Sequence, residues 1–324
     1  MDIKKAYKFR LKTNSEIAHK LRLFAGHARF VWNHFYFLNK SRLEKRQKLI
    51  YSNEASFWLT LLKKTEELSF LNEAPSQILQ QKLKDLERGY KDGFDKKQPL
   101  KRMPTRKKKT DRHSFRYPDA NQFRLENRRI FLPKLGYISF FKSREIVGTP
   151  KNITISYNGG HWYASIQVEQ KITIPVQKKS KENAVGIDMG ISQFVPMSTT
   201  TEDRFISPKN SYRVFQEKLS LLQKKVSRKK RFSNNWRKSN LKVTKLHSRI
   251  ANVRRDHLHK ISQEISKNHA EIFVEDLQVK NMSKSASGTL EVPGKNVAAK
   301  SGLNKSILDQ GWCEFRRQLK YKSA

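Results

Sequence analysis

Apolar and polar side chains alternate over residues 4–11, which places Tyr7, Phe9 and Leu11 on one face of an extended chain. This period of two predicts a strand with one buried side. Beyond Asn14 the apolar positions recur every three or four residues, a spacing typical of amphipathic helices. The helices predicted in this way cover residues 13–46, 53–68 and 74–94. Together they predict a helical block over residues 13–100.

Apolar and polar residues alternate with a period of two again over residues 113–176, where aromatic and β-branched side chains are frequent. Asn158-Gly159-Gly160 separates the last two apolar runs and predicts a tight hairpin. The strand at the N-terminus has its natural partners among these strands. The pattern therefore predicts a small β-barrel or sandwich, built from residues 1–12 and 101–180, with the helical block inserted in it. A polar linker over residues 177–182 follows.

The last part of the chain starts with an apolar run, Ala184-Val185-Gly186-Ile187, that ends directly in Asp188. A short strand predicted over residues 270–274 ends in the same way in Glu275. The other predictions here are two long basic helices, a flexible stretch and an amphipathic segment, over residues 210–230, 236–268, 280–302 and 307–319. The chain is therefore predicted to be an α+β multidomain protein, whose last domain covers residues 181–324.

The charge of the chain limits the classes of partner. Lys and Arg number 68 against 29 Asp and Glu, a formal net charge of +39. This excess predicts a polyanionic partner, because Lys and Arg neutralise phosphates and release counterions. No apolar run approaches the ~20 residues that span a bilayer, and the N-terminus lacks an apolar signal core. We therefore expect a cytoplasmic, nucleoid-associated protein that binds nucleic acid and no membrane.

The positive charge is concentrated in a few stretches. Residues 101–116 carry eight Lys or Arg and almost no aliphatic side chains, which predicts a linker or a solvated loop that can follow a phosphate backbone. The run from Lys224 to Arg231 is either a solvated helix face or a contact for a nucleic-acid backbone. The candidate phosphate contacts are Arg106, Lys107, Lys108, Lys109, Lys224, Lys225, Arg228, Lys229, Lys230, Arg231, Arg237, Lys238, Arg254 and Arg255.

Asp188 and Glu275 carry the candidate chemistry, because each directly follows an apolar strand. An acid at the end of a buried strand is costly unless it binds a metal or meets a partner. Carboxylates on neighbouring strands can hold two Mg²⁺ ions, which stabilise the attacking and leaving oxygens of a phosphodiester displacement. The alternative for either residue is a turn carboxylate with a structural role only.

Five segments carry a more specific signal than any single acid. They are Ala74–Gln81, Leu132–Gly136, Gly186–Gly190, Phe273–Met282 and Trp312–Arg316. Together they resemble the TnpB/OrfB-type family of transposon-encoded, RNA-guided DNA nucleases, which is related to the type V CRISPR effectors. The two segments that contain the acids resemble the first and second RuvC-like motifs of that family. The similarity extends over nearly the whole chain.

The resemblance implies a wedge-type domain for the β region, a recognition lobe for the helical block and an RNase H-like, RuvC-like nuclease domain for residues 181–324. It implies that Asp188 and Glu275 are catalytic and bind Mg²⁺. It also implies two partners, a guide RNA transcribed from the transposon end and double-stranded target DNA. Gln77 and Gln80, which lie in the segment similar to the helical lobe, join the candidate nucleic-acid contacts.

One departure from the family pattern changes the expected activity. Family members continue with a zinc ribbon of two CxxC pairs and a third acid, whereas this sequence ends at Ala324 and contains a single cysteine, Cys313. Asp276 and Asp309 are poor replacements for the third acid. We therefore expect a C-terminally truncated member, without zinc, that binds Mg²⁺ weakly and cleaves poorly. The alternatives are an RNA-guided DNA-binding regulator that does not cleave and a generic basic RNA-binding protein.

Overall fold

The computed structural model of the chain describes residues 2–98, 101–110, 113–171, 184–198 and 203–323. The chain divides into two compact units, Met1–Ile174 and Pro175–Ala324. Each unit has a buried apolar core of its own. The linker predicted at residues 177–182 lies outside the described residues. Among the helices described, none combines the length and the apolar character that a membrane crossing requires.

Antiparallel strands form the framework of the first unit. They are β1 (Asp2–Arg10), β2 (Ser114–Tyr117), β3 (Arg124–Glu126), β4 (Arg129–Leu132), β5 (Gly136–Ser139), β6 (Thr149–Asn158) and β7 (His161–Lys171). The predicted pairing of the N-terminal strand is confirmed, because β1 pairs with β7 along its whole length. The predicted hairpin is also confirmed, since Gly159 and Gly160 join β6 to β7 with positive φ angles of 57° and 85°.

The expected β-barrel is wrong. The described strands form two open sheets, one in the order β1-β7-β6-β2 and one in the order β3-β4-β5. The sheets meet at an isolated bridge between Leu11 and Phe140. A barrel needs every strand to pair in a complete ring. Here β2 pairs only with β6 among the described strands, and helices pack beside it.

Three α-helices follow β1 before the chain returns to the sheets: α1 (Ser15–Glu44), α2 (Ser52–Leu62) and α3 (Ser76–Phe94). The Asn14 side chain caps α1 by accepting a hydrogen bond from the Ile17 amide at 2.8 Å. The second helix is shorter than predicted, because the chain tightens into a 3-10 helix over Glu66–Glu73. The buried faces of α1 and α3 pack together and cover β2.

The second unit mixes strands and helices. Its elements are β8 (Ala184–Ile187), β9 (Val195–Ser198), β10 (Asp203–Ile206), α4 (Ser211–Ser227), α5 (Asn234–Asn268), β11 (Glu271–Val274), α6 (Val279–Met282), α7 (Val297–Gln310) and α8 (Trp312–Lys322). The sheet order is β10-β9-β8-β11. Strands β8 to β10 are antiparallel, while β11 returns parallel to β8 after α4 and α5. The described chain is therefore a mixed α/β protein.

Three features of this unit differ from the sequence predictions. Strands β9 and β10 were not predicted, because four residues each are too few to show a period. Part of the stretch predicted as flexible, residues 280–302, belongs to α6 and α7. The final amphipathic segment is broken at Gly311, whose φ of +75° ends α7 and lets α8 begin in a new direction.

Candidate metal centre and nucleic-acid interface

The parallel pairing of β8 with β11 brings the two candidate acids together. Val274 is the register partner of Ile187, the last residue of β8. Asp188 and Glu275 each follow this pair directly, so their backbones leave the same edge of the sheet. Neighbouring strands lie about 4.8 Å apart, so the two residues leave the sheet at adjacent positions, one residue beyond the last pair of the ladder.

The end of β8 is held by its own core packing and by a tight loop. The Val185 and Ile187 side chains are buried on one face of the strand, and Met189 is buried after it. The Asp188 amide donates a hydrogen bond to the Pro196 carbonyl at 3.2 Å. A Cβ atom at Gly190 would lie 2.6 Å from the Gln193 carbonyl oxygen, so the loop closes only with glycine there.

Both acids are exposed, so the argument that their burial demands a metal is wrong. The reason is that β8 and β11 end at the sheet edge, and each acid is the first residue beyond the ladder. Neither carboxylate takes part in a hydrogen bond or ion pair within the described ranges. In the same ranges no three His, Cys, Asp or Glu side chains cluster as a metal site would require. The candidate centre is therefore a pair of exposed carboxylates that have no partner among the described residues.

The two acids considered as replacements for a third ligand are engaged elsewhere. Asp276 forms an ion pair with Arg316 of α8. Asp309 belongs to α7 and is buried, and its carboxylate contacts the first residues of α4. It accepts hydrogen bonds from the Ser211 hydroxyl at 3.0 Å and the Tyr212 amide at 2.8 Å. This arrangement caps α4 with a side chain from α7.

The basic residues 101–110, here called the strap, form a largely exposed loop that is bound to α1. The Asn33 side chain donates to the Lys107 carbonyl at 2.9 Å and accepts from the Lys107 amide at 2.8 Å. The Trp32 indole donates to the Thr105 carbonyl at 3.0 Å. The Lys107 ammonium lies 3.6 Å from the centroid of the Trp32 ring. The segment is therefore the solvated loop that the sequence predicts, and contacts from α1 hold its middle residues in place.

The other candidates from the first unit lie on the strap and on α3. Arg106 lies over the Phe37 ring, with its guanidinium carbon 5.9 Å from the ring centroid. Lys108 and Lys109 follow on the same strap, and both are exposed. On α3, Gln80 is exposed, whereas Gln77 is half-buried. The buried Oε1 atom of Gln77 has no hydrogen-bond partner in the described part of the chain.

Helices α4 and α5 form an antiparallel hairpin that carries the other candidate contacts. The helices pack through Leu219, Leu246 and Ile250. The exposed candidates on the hairpin are Lys224, Lys225, Arg228, Lys229, Lys230, Arg231, Arg237, Lys238 and Arg255. Arg254 differs from them, because its guanidinium lies 3.3 Å from the buried Asp309 carboxylate. Arg254 is therefore part of a structural ion pair within the second unit.

Two protein-family models match the chain. Residues 165–286 match OrfB_IS605, described as a probable transposase. Residues 1–48 match HTH_OrfB_IS605, described as a helix-turn-helix domain. The structure of residues 2–48 contains the strand β1 and the long helix α1 instead of two helices.

Two relatives are similar to this chain over nearly its whole length. One is the "Putative RNA-guided DNA endonuclease InsQ" of Escherichia coli (strain K12), 46% identical over 317 residues. The other is a "Putative RNA-guided DNA endonuclease" of Streptomyces pristinaespiralis, 32% identical over 333 residues. The alignments cover 98% and 99% of this chain, and 77% and 75% of those proteins.

Two solved structures are also similar at low sequence identity. A cryo-EM structure of a Cas12f1-sgRNA-target DNA complex has a TM-score of 0.48 and 11% identity, over 94% of this chain and 88% of that one. A cryo-EM structure of a CRISPR-Cas12f ternary complex has a TM-score of 0.33 and 14% identity, over 92% of this chain and 70% of that one.

Proposed function

Since this chain belongs to the TnpB/OrfB family of transposon-encoded proteins, we propose that it is an RNA-guided DNA-binding protein with a RuvC-like nuclease site. The observation that carries the proposal is the parallel register of β8 and β11, which makes Asp188 and Glu275 neighbours at one sheet edge. Two acids far apart in the sequence follow adjacent strand ends there, and both lack a protein partner in the described chain. A structural role would give them one.

The two carboxylates fit Mg²⁺. This cation prefers oxygen ligands and is often held by one or two carboxylates together with substrate phosphates. Asp188 and Glu275 would hold it at the end of β8 and β11. When bound, Mg²⁺ supplies charge stabilisation for a phosphodiester displacement. The tight loop at Gly190 fixes the direction in which the chain leaves Asp188.

The domain assignment follows from the same proposal. The second unit, with its three antiparallel strands and a fourth strand parallel to the first, is the RNase H-like domain. In the first unit, the open sheets are the wedge-type domain and α1 to α3 are the recognition lobe. The partners are a guide RNA from the transposon end and double-stranded target DNA, which the charge of +39 favours electrostatically.

The partner proposal is tested by isolating the chain from cells that carry its transposon and sequencing the RNA that co-purifies. We expect enrichment of one structured transcript from the transposon end. Random cellular RNA would contradict guided function and favour the generic RNA-binding alternative. Affinity for nucleic acid is also expected to fall by about a thousandfold or more between 50 and 200 mM salt if six or more phosphates are contacted.

The metal site is tested by titrating the chain with Mn²⁺, a paramagnetic substitute for Mg²⁺, in electron paramagnetic resonance. We expect Asp188→Asn and Glu275→Gln to abolish binding of the tightest ion. Asp276→Asn is the matched control, because Asp276 is exposed beside Glu275 but is paired with Arg316. Equal binding by all three variants would refute the assignment.

Weak cleavage by these 324 residues stays a prediction, measured with guide RNA and target DNA.

A further inference from the structure

The turn between α4 and α5 presents an aromatic side chain in a costly conformation. Phe232 has a φ of +68° and is 56% exposed. A bulky residue rarely adopts a positive φ, where glycine is the residue without steric cost. Ser233, the next residue, caps α5 by accepting a hydrogen bond from the Trp236 amide at 3.1 Å. The cap requires a turn here, but it does not require an aromatic ring.

Phe232 forms a small aromatic cluster with its neighbours. Its ring centroid lies 5.5 Å from that of Trp236, with the ring planes at 61°. The guanidinium carbon of Arg231 lies 5.0 Å from the Phe232 centroid. Trp236 is half-buried, so it supports the Phe232 ring while that ring stays open to solvent. The cluster belongs to the hairpin tip, defined here as residues 228–236.

A basic groove lies beside the hairpin tip, between the two helices. It encloses about 300 Å³ and is lined by Leu222, Lys225, Arg228, Lys229, Ser239 and Lys242. None of these four cations forms an ion pair with a described residue. Residues 224–242 contain nine Lys or Arg and no Asp or Glu. Such a groove fits a phosphate group, and nothing in the segment repels one.

We infer that the hairpin tip is a stacking site for an unpaired nucleic-acid base, with Phe232 as the platform and the groove holding an adjacent phosphate. The inference rests on the proposed function and assigns one contact within it. Aromatic platforms beside cationic grooves are the recurrent means of binding single strands, because every base has a π-face. The local charge argues against an apolar or basic protein segment as occupant, since either would leave these cations unpaired.

The test measures binding of the full chain to a fluorescein-labelled, mixed-sequence single-stranded RNA by anisotropy. We expect Phe232→Ala to weaken binding by about 5- to 150-fold, the range for loss of one stacked base. The slope of log Kd against log salt should stay the same, because no charge is lost. Lys229→Gln should lower that slope by about 0.7, the value for one phosphate contact on a single strand.

Three controls separate stacking from other effects of the substitution. Leu221→Ala removes an equally exposed apolar side chain from α4 and should leave affinity unchanged. Phe232→Tyr keeps the aromatic face and should bind like the parent chain, whereas Phe232→Leu keeps only apolar bulk and should bind like Phe232→Ala. Circular dichroism and melting temperature show that each variant folds. Binding by Phe232→Leu at the parent level would overturn stacking in favour of simple apolar contact.

Additional probes identify the occupant. A single-stranded DNA of the same sequence shows whether the base comes from RNA or DNA. A blunt RNA duplex should be insensitive to Phe232→Ala, because its bases are already stacked, and an equal loss on this duplex would overturn the assignment to an unpaired base. If the parent chain binds none of the probes, the proposed function itself fails. If it binds but Phe232→Ala matches Leu221→Ala, the stacking site alone fails.

Discussion

Substitution of Asp309 by alanine tests how the second unit is held together. Its carboxylate is 3% exposed and lies 3.3 Å from the guanidinium of Arg254 on α5. The carboxylate also accepts the hydroxyl of Ser211 and the amide of Tyr212 at the start of α4. One side chain of α7 therefore links three helices, and its loss leaves a buried amide and hydroxyl without a partner.

The expected loss in the free energy of unfolding has two contributions, one from the cap of α4 and one from the ion pair with Arg254. Loss of a helix N-cap costs about 0.5–2 kcal/mol. Breaking a buried ion pair costs about 3–5 kcal/mol when the remaining charge stays buried. Arg254 is 31% exposed and can turn towards water, which reduces the cost of breaking the ion pair. We therefore expect Asp309→Ala to lower the free energy of unfolding by about 2–4 kcal/mol. Asp309→Asn keeps one acceptor and should cost less.

Urea denaturation followed by circular dichroism provides the assay, combined with hydrogen exchange at the first amides of α4. A loss of this size shifts the midpoint by roughly 1 to 2 M. The matched control is Asp256→Ala on α5, which removes an exposed ion pair with Lys260 and should leave the midpoint in place. An Asp309→Ala midpoint equal to that of the control, with unchanged exchange at Tyr212, would refute the reasoning.

Three further predictions concern single contacts. Asn33→Ala should release the strap and speed trypsin cleavage after its basic residues, because both backbone hydrogen bonds to Lys107 are lost; cleavage unchanged from the parent chain would contradict this. Gly190→Ala should weaken Mn²⁺ binding, since its Cβ would clash with a carbonyl oxygen 2.6 Å away in the loop after Asp188; parent-level binding would show that the loop adapts. Hydrogen bonds, first from Lys91 and then from Ser52, lower the pKa of Glu87 from 4.5 to about 2. The stability they contribute is therefore complete above pH 4.5 and lost as the pH falls towards 2, and Glu87→Gln should flatten the dependence of the melting temperature on pH in this window.

The sequence alone determined the elements whose signal is local. The period of two predicted β1 and the β6–β7 hairpin, because a half-buried strand shows its pattern within a few residues. Spacings of three and four predicted α1, α3 and α5 for the same reason. Asp188 and Glu275 were found because each follows an apolar run directly, a signal that needs no knowledge of the fold.

The tertiary structure decided which distant segments meet. Nothing in the local pattern of β8 or β11 shows that they pair in parallel, since register depends on the packing of the whole sheet. The strap resembled a linker because its partners, Trp32 and Asn33, lie more than seventy residues away. Nothing near Asp309 in the sequence shows that it caps α4, because the amide of Tyr212 lies 97 residues before it. Local periodicity records burial along one element, whereas pairing, capping and docking depend on contacts between elements.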